Sequence, residues 1–115
     1  MTQVKISRKD RGYSMRFYIP VGIRELVLRK FGNADIFCET RVLDTGKIVL
    51  TISDKPIGRR IYRDTRCKEP RLELSIDSDA VRQAVIIPDV AEISNIRSDN
   101  GLLLLDMSQV IKPVI

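Results

Sequence analysis

Arg16-Phe17-Tyr18-Ile19-Pro20-Val21-Gly22-Ile23-Arg24-Glu25-Leu26 opens a segment that passes an acidic residue at Asp35. It closes with Leu43-Asp44-Thr45-Gly46-Lys47-Ile48-Val49-Leu50. Tyr13 to Ile19 reads as a β-strand with Met15, Phe17 and Ile19 on one side, because strand side chains alternate between faces. Pro20 ends that ladder and suits the first turn of a helix, where its missing N–H costs nothing. Residues 21–31 place Ile23, Leu26, Val27 and Phe31 at helical spacing. Gly32 is the expected stop, and Arg29 and Lys30 in the last turn match the helix dipole. Two β-rich runs, 36–43 and 47–52, then flank a Gly-containing loop and read as a hairpin.

Outward from this segment the β pattern continues. Val4 to Arg8 alternates, and Asp10-Arg11-Gly12 is a turn signal. Residues 53–71 are basic and punctuated by Pro56, Gly58 and Pro70, with Arg59 to Arg63 expected to pair briefly as a strand. Leu72 to Ile76 alternates well. Asp77-Ser78-Asp79 reads as a turn or as the cap of a short helix over 80–85. Val85-Ile86-Ile87 runs into Pro88. Ala91–Ile96 and Leu102–Met107 flank Ser98-Asp99-Asn100-Gly101, a strong hairpin turn, and the four leucines 102–105 imply cover on both faces. Ile19-Pro20 with the Asp-Thr-Gly loop is faintly echoed by Ile87-Pro88 with Asp-Asn-Gly, which reads as chance similarity between β-rich segments. The expected fold class is mainly β with one or two short helices. Its expected organisation is a module over 1–53, a basic connection over 54–71 and an acidic β-rich module over 72–115.

Composition removes several functions. The chain of 115 residues has no His, two Cys and no Trp. Without His there is no Ser-His-Asp or Cys-His catalysis, and two Cys alone cannot complete a four-ligand zinc site. Cys38 and Cys67 form no CxxC pair and read as buried thiols. Asp77, Asp79 and Asp99 sit in ordinary turn chemistry, and no phosphate loop or nucleophile elbow appears. The chain is therefore expected not to be an enzyme and to need no cofactor or metal. MTQVKISRKD lacks the apolar stretch of a signal peptide and no apolar run reaches membrane length, so a cytoplasmic location is expected.

Charge is uneven. Residues 1–71 hold 17 Lys/Arg against 8 Asp/Glu, whereas 72–115 hold 3 against 7. In the basic part Arg outnumbers Lys 11 to 6, which suits planar, bidentate contacts to phosphate or base edges. The ordered series Arg16, Ile19-Pro20, Arg24, helix and Asp-x-Gly hairpin resembles the DNA-binding domain of the AbrB/MazE/SpoVT family of transition-state regulators and antitoxins. Met15 stands where that family usually has a glycine. The resemblance implies a swapped-hairpin barrel in which two chains interleave, with a β-rich C-terminal extension. It also implies that Arg16 and Arg24, four residues either side of Pro20, contact DNA, with Arg8 and Lys9 on the first strand and Arg11 beside them.

The expected function is thus a homodimeric transcriptional regulator that binds duplex DNA, with a protein partner for residues 72–115 in view. One alternative is an antitoxin or small phage or viral protein-binding adaptor. Another is a single-stranded nucleic-acid-binding barrel in which Tyr13, Phe17, Tyr18 and Tyr62, interleaved with arginines, serve as stacking platforms.

Overall fold

Short apolar alternations bounded by turns give strands, and a computed structural model of the chain arranges them around one core. It describes residues 2–9, 14–45, 47–66, 68–77, 81, 85–86, 89–107 and 112–113. The strands of the first half are β1 (Thr2–Lys5), β2 (Ser7–Lys9), β3 (Ser14–Tyr18), β4 (Phe37–Val42) and β5 (Ile48–Ser53), with helix α1 (Val21–Phe31) after β3. The second half has β6 (Arg59–Arg60), β7 (Tyr62–Asp64), β8 (Arg71–Ile76), β9 (Val85–Ile86), β10 (Val90–Asp99), β11 (Leu102–Met107) and β12 (Lys112–Pro113).

All pairings are antiparallel, in sheets ordered β1-β10-β11-β5-β4-β6 and β2-β3-β8-β7, with β9 paired to β12. The two larger sheets share two continuous runs of chain. Ile6 separates β1 from β2 and Ile61 separates β6 from β7; both are buried. Their N–H groups donate to the carbonyls of Asp89 and Ile36. Through these two corners the ladder returns to its start, so the curled sheet closes within one chain. Each of β1, β2, β6 and β7 has one partner strand among the described residues, and the two corners join these pairings into a single circuit.

The circuit has an internal two-fold order. β2 pairs β3 in the first half and β7 pairs β8 in the second. β1 reaches across to β10, and β6 reaches across to β4. β3 meets β8 and β5 meets β11 about the same centre. The boundaries expected at 53/54 and 71/72 fall inside this interleaved circuit, with β6 and β7 lying between them.

The echo noted in the sequence is therefore topological, although its Ile-Pro half is out of step. The Asp44-Thr45 turn and the Asn100-Gly101 turn join equivalent strands. Ile19 follows β3, however, and the residue closing the matching strand β8 is Ile76; Ile87 and Pro88 lie outside the described residues. Asn100 and Gly101 both have positive φ, 46° and 81°, as a two-residue hairpin turn with the right strand twist requires.

The two halves fill the core with equivalent rows. Met15, Phe17 and Ile19 face Leu72, Leu74 and Ile76, with Phe17 opposite Leu74. Ile48, Leu50 and Ile52 line up beside Leu103, Leu105 and Met107. Burying a side chain such as Phe17 stabilises by about 1.5–3 kcal/mol. Leu102 and Leu104 are half-buried rather than fully covered, because they take the outward positions of β11.

α1 matches its expected span. Ile23 and Val27 are buried, Leu28 and Phe31 pack partly against the core, and Leu26 is exposed. The stripe 23, 27, 31 sets the buried face, and Leu26 sits at its edge. Gly32, at φ 59°, ends the helix with its N–H on the Leu28 carbonyl. Of the short helix expected over 80–85, Val81 is described, with helical backbone and a buried side chain, and 85–86 form β9. Among the described residues no helix is long and apolar enough to cross a membrane.

Candidate nucleic-acid interface

The outer face of β3, β8 and β7 carries a row that the strand register fixes. Tyr18 lies opposite Glu73, and Glu73 lies opposite Tyr62. Inward-facing Phe17 and Leu74 force these neighbours outward, since alternate residues take opposite faces. Tyr18 is 38% exposed and Tyr62 58% exposed. Arg71, the outward residue two before Glu73, stacks its guanidinium 3.8 Å from the centroid of the Tyr18 ring. At an exposed site such a contact contributes about 0.5–1 kcal/mol, and it holds the cation over the ring.

Arg66 borders the same face. Its Nε and Nη2 donate to Asp64 Oδ1 and Oδ2 at 2.9 and 2.8 Å, and its backbone N–H donates to Oδ1 at 3.1 Å. These bonds, the side-chain fork first, hold the Asp64 carboxyl down at about 2. The Arg66 guanidinium is pushed up in turn, mainly by Asp64, with smaller contributions from Tyr62 and Tyr18. A two-residue clamp thus fixes the chain after β7 beside the tyrosines.

Two recesses flank the face. A cleft of about 330 Å³ at the start of α1 is lined by Lys5, Tyr18, Pro20, Arg24 and Arg71 among others. α1 has no side-chain cap at Pro20 and no acidic residue in its first turn, so the helix adds to the positive character of this end. On the far side, a recess of about 380 Å³ is lined by Asp35, Arg60, Ile61, Tyr62 and Arg63. Its arginines brace the fold: Arg60 pairs with Asp35 at 2.8 Å, and Arg63 donates to the Gly32 and Ala34 carbonyls at 2.9 and 2.8 Å.

The residues expected to contact DNA do not form one surface. Arg16 pairs with Glu73 at 3.3 Å and stands beside the tyrosine row. Arg24, with its side chain 12% exposed, pairs with Glu69 at 3.0 Å and reaches the cleft. Arg8 pairs with Asp89 at 3.2 Å. Its register opposite buried Met15, while Ser7 opposes Arg16, puts Arg8 on the other side of the sheet from Arg16. Lys9 contributes backbone to β2, and Arg11 and Tyr13 lie outside the described residues. Phe17, one of the four rings considered for stacking, is 2% exposed and belongs to the core. Arg66 and Arg71 were not singled out from the sequence. The alternation Leu72-Glu73-Leu74 carried the signal for Arg71, because a strand with Leu72 inward has residue 71 outward.

No group of three or more His, Cys, Asp or Glu among the described residues is placed to hold a metal ion. Asp77 donates its N–H to Thr40 Oγ1 at 3.0 Å and its carboxylate lies 3.9 Å from Arg59; Asp79 lies outside the described residues. Cys38 is fully buried, and burial, then the neighbouring Glu39 charge, pushes its thiol up to about 12. It remains a protonated core residue at neutral pH. Compared with models of known families, with curated proteins and with solved structures, the chain matches none.

Proposed function

We propose that this protein binds single-stranded nucleic acid on the outer face of β3, β8 and β7. Bases stack on Tyr18 and Tyr62, and phosphates follow Arg66, Arg71, Lys5 and Arg24. The observation that carries the reading is the exposed tyrosine pair in register across three strands, with Arg71 over one ring. Exposed aromatics interleaved with arginine are the recurrent means of holding unstacked bases, at about 1–3 kcal/mol per base. Glu73 and Glu69 keep the face from being a uniform cation patch and favour stacking over pure charge attraction.

The duplex-binding, AbrB-like regulator remains the second reading, and the two-fold order of the strands favours it in one respect. One chain carries two interleaved hairpin pairs, so we infer a fused form of the swapped-hairpin pair that needs no second chain to complete its sheet. Its contacts are less favourable. Arg8 lies on the other side of the sheet from Arg16, so the arginines this reading needs do not share one surface.

The test is a titration of labelled oligothymidylate and of a duplex of equal length across a salt series. Tighter binding of the single strand, with a log–log salt slope of about −0.7 per phosphate contact, is the expected result. Preference for the duplex returns the regulator reading, and no binding of either removes both.

A further inference from the structure

Away from the tyrosine face, α1 and the β10–β11 hairpin enclose a groove of about 360 Å³ lined by Leu26, Arg29, Lys30, Ile96, Ser98 and Leu103. Its floor is aliphatic. Leu26, 39% exposed, is an apolar side chain that the stripe 23, 27, 31 leaves outside the core. Every charged side chain in the lining is a cation. Lys30 Nζ donates to Ser98 Oγ at 2.8 Å and bridges the groove at one point. Arg29 has no ion-pair or hydrogen-bond partner among the described residues, although an exposed guanidinium readily forms one.

We infer that this groove docks a segment of another protein, one that offers aliphatic side chains flanked by carboxylates. The aliphatic floor takes its apolar side chains, and Arg29 and Lys30 take the acidic flanks. Charge complementarity commits the choice of occupant. Nucleic acid fits poorly, because no aromatic ring lines the groove to stack a base. The inference stands on residues separate from the tyrosine face and does not depend on the proposed function.

The experiment titrates the full chain into labelled synthetic peptides, followed by anisotropy. One peptide alternates leucines with pairs of glutamates, a second replaces Leu by Ser, and a third replaces Glu by Lys. Expected are binding of the Glu–Leu peptide alone, loss of about tenfold in affinity or more in the Arg29→Glu, Lys30→Glu double variant, and binding of the Lys–Leu peptide by that variant. Leu26→Ser, at an exposed position, is expected to weaken the Glu–Leu peptide while leaving the circular dichroism spectrum unchanged. Equal binding by wild type and double variant, or equal binding of the Ser peptide, overturns the inference. So does displacement of the peptide by oligothymidylate. Self-association that the double variant abolishes seats a second copy of the chain in the groove and overturns it as well.

Discussion

Tyr62 and Arg71 lie at the two ends of a stretch that reads, residue by residue, as a basic connection entering a strand. Their importance comes from a register that joins β3, β8 and β7 across many residues of sequence. Tyr62→Ala is expected to weaken single-strand binding by about 1–3 kcal/mol, the scale of one lost stacking contact. Its ring is too exposed for the same change to unfold the protein, and unaltered urea denaturation alongside the weaker binding checks this. Cys38 makes a prediction of the opposite kind. Its thiol is raised from 9.0 to about 12 in the fold, so the folded state resists ionisation that the unfolded chain accepts. The stability tied to the neutral thiol is complete below about pH 9 and is lost progressively as pH rises towards 12. Urea midpoints across that range, with Cys38→Ala lacking this component of the decline, are the measurement. The expectation of a buried thiol was legible because a lone Cys amid Ile36, Phe37 and alternating residues is most often core. The ion pairs of Arg8, Arg16 and Arg24 were not legible, because their carboxylates come from distant parts of the chain.

At the scale of elements, β3, α1, β4, β5, β8, β10 and β11 follow directly from hydrophobic period and turn residues. What local pattern could not supply is the change of partner at Ile6 and Ile61, where one run of chain leaves one sheet and enters another. Both runs look like ordinary alternating strands, and only the long-range pairing distinguishes their ends. Gly58 marks the second of these entries. Its φ is 90°, and a Cβ there would overlap the Cys38 carbonyl and the Glu39 Cα carried by β4. Backbone, rather than a flexible side-chain end, stands in the way. Gly58→Ala is therefore expected to destabilise by more than about 1 kcal/mol through both strain and overlap. By contrast, Gly22→Ala in α1 meets nothing within 4 Å and is expected to stabilise by roughly 0.5–1 kcal/mol. Thermal denaturation of the two variants in parallel, with shifts of opposite sign, checks both.

Over the whole molecule, the resemblance to swapped-hairpin regulators implies two chains, and the strands of one chain form a circuit joined at Ile6 and Ile61. The repeated hairpins read in the sequence as chance similarity, because the two halves share burial positions more than residue types. Phe17 and Leu74 do the same work without looking alike. Sedimentation equilibrium is expected to give a mass near 13.1 kDa, that of a single chain, whereas twice that mass would favour a true hairpin exchange between copies. The chain also supplies its own optical probe: it has no Trp and three Tyr, so tyrosine emission is unobscured. Tyr18 and Tyr62 are two of those three, and both belong to the face on which bases are proposed to stack. The most direct measurement is therefore tyrosine emission during a titration with oligothymidylate, corrected for absorbance. Saturable quenching that is largely lost in the Tyr18→Ala, Tyr62→Ala double variant is the expected result. Binding that leaves the emission unchanged, or quenching that survives in the double variant, would contradict stacking on this face.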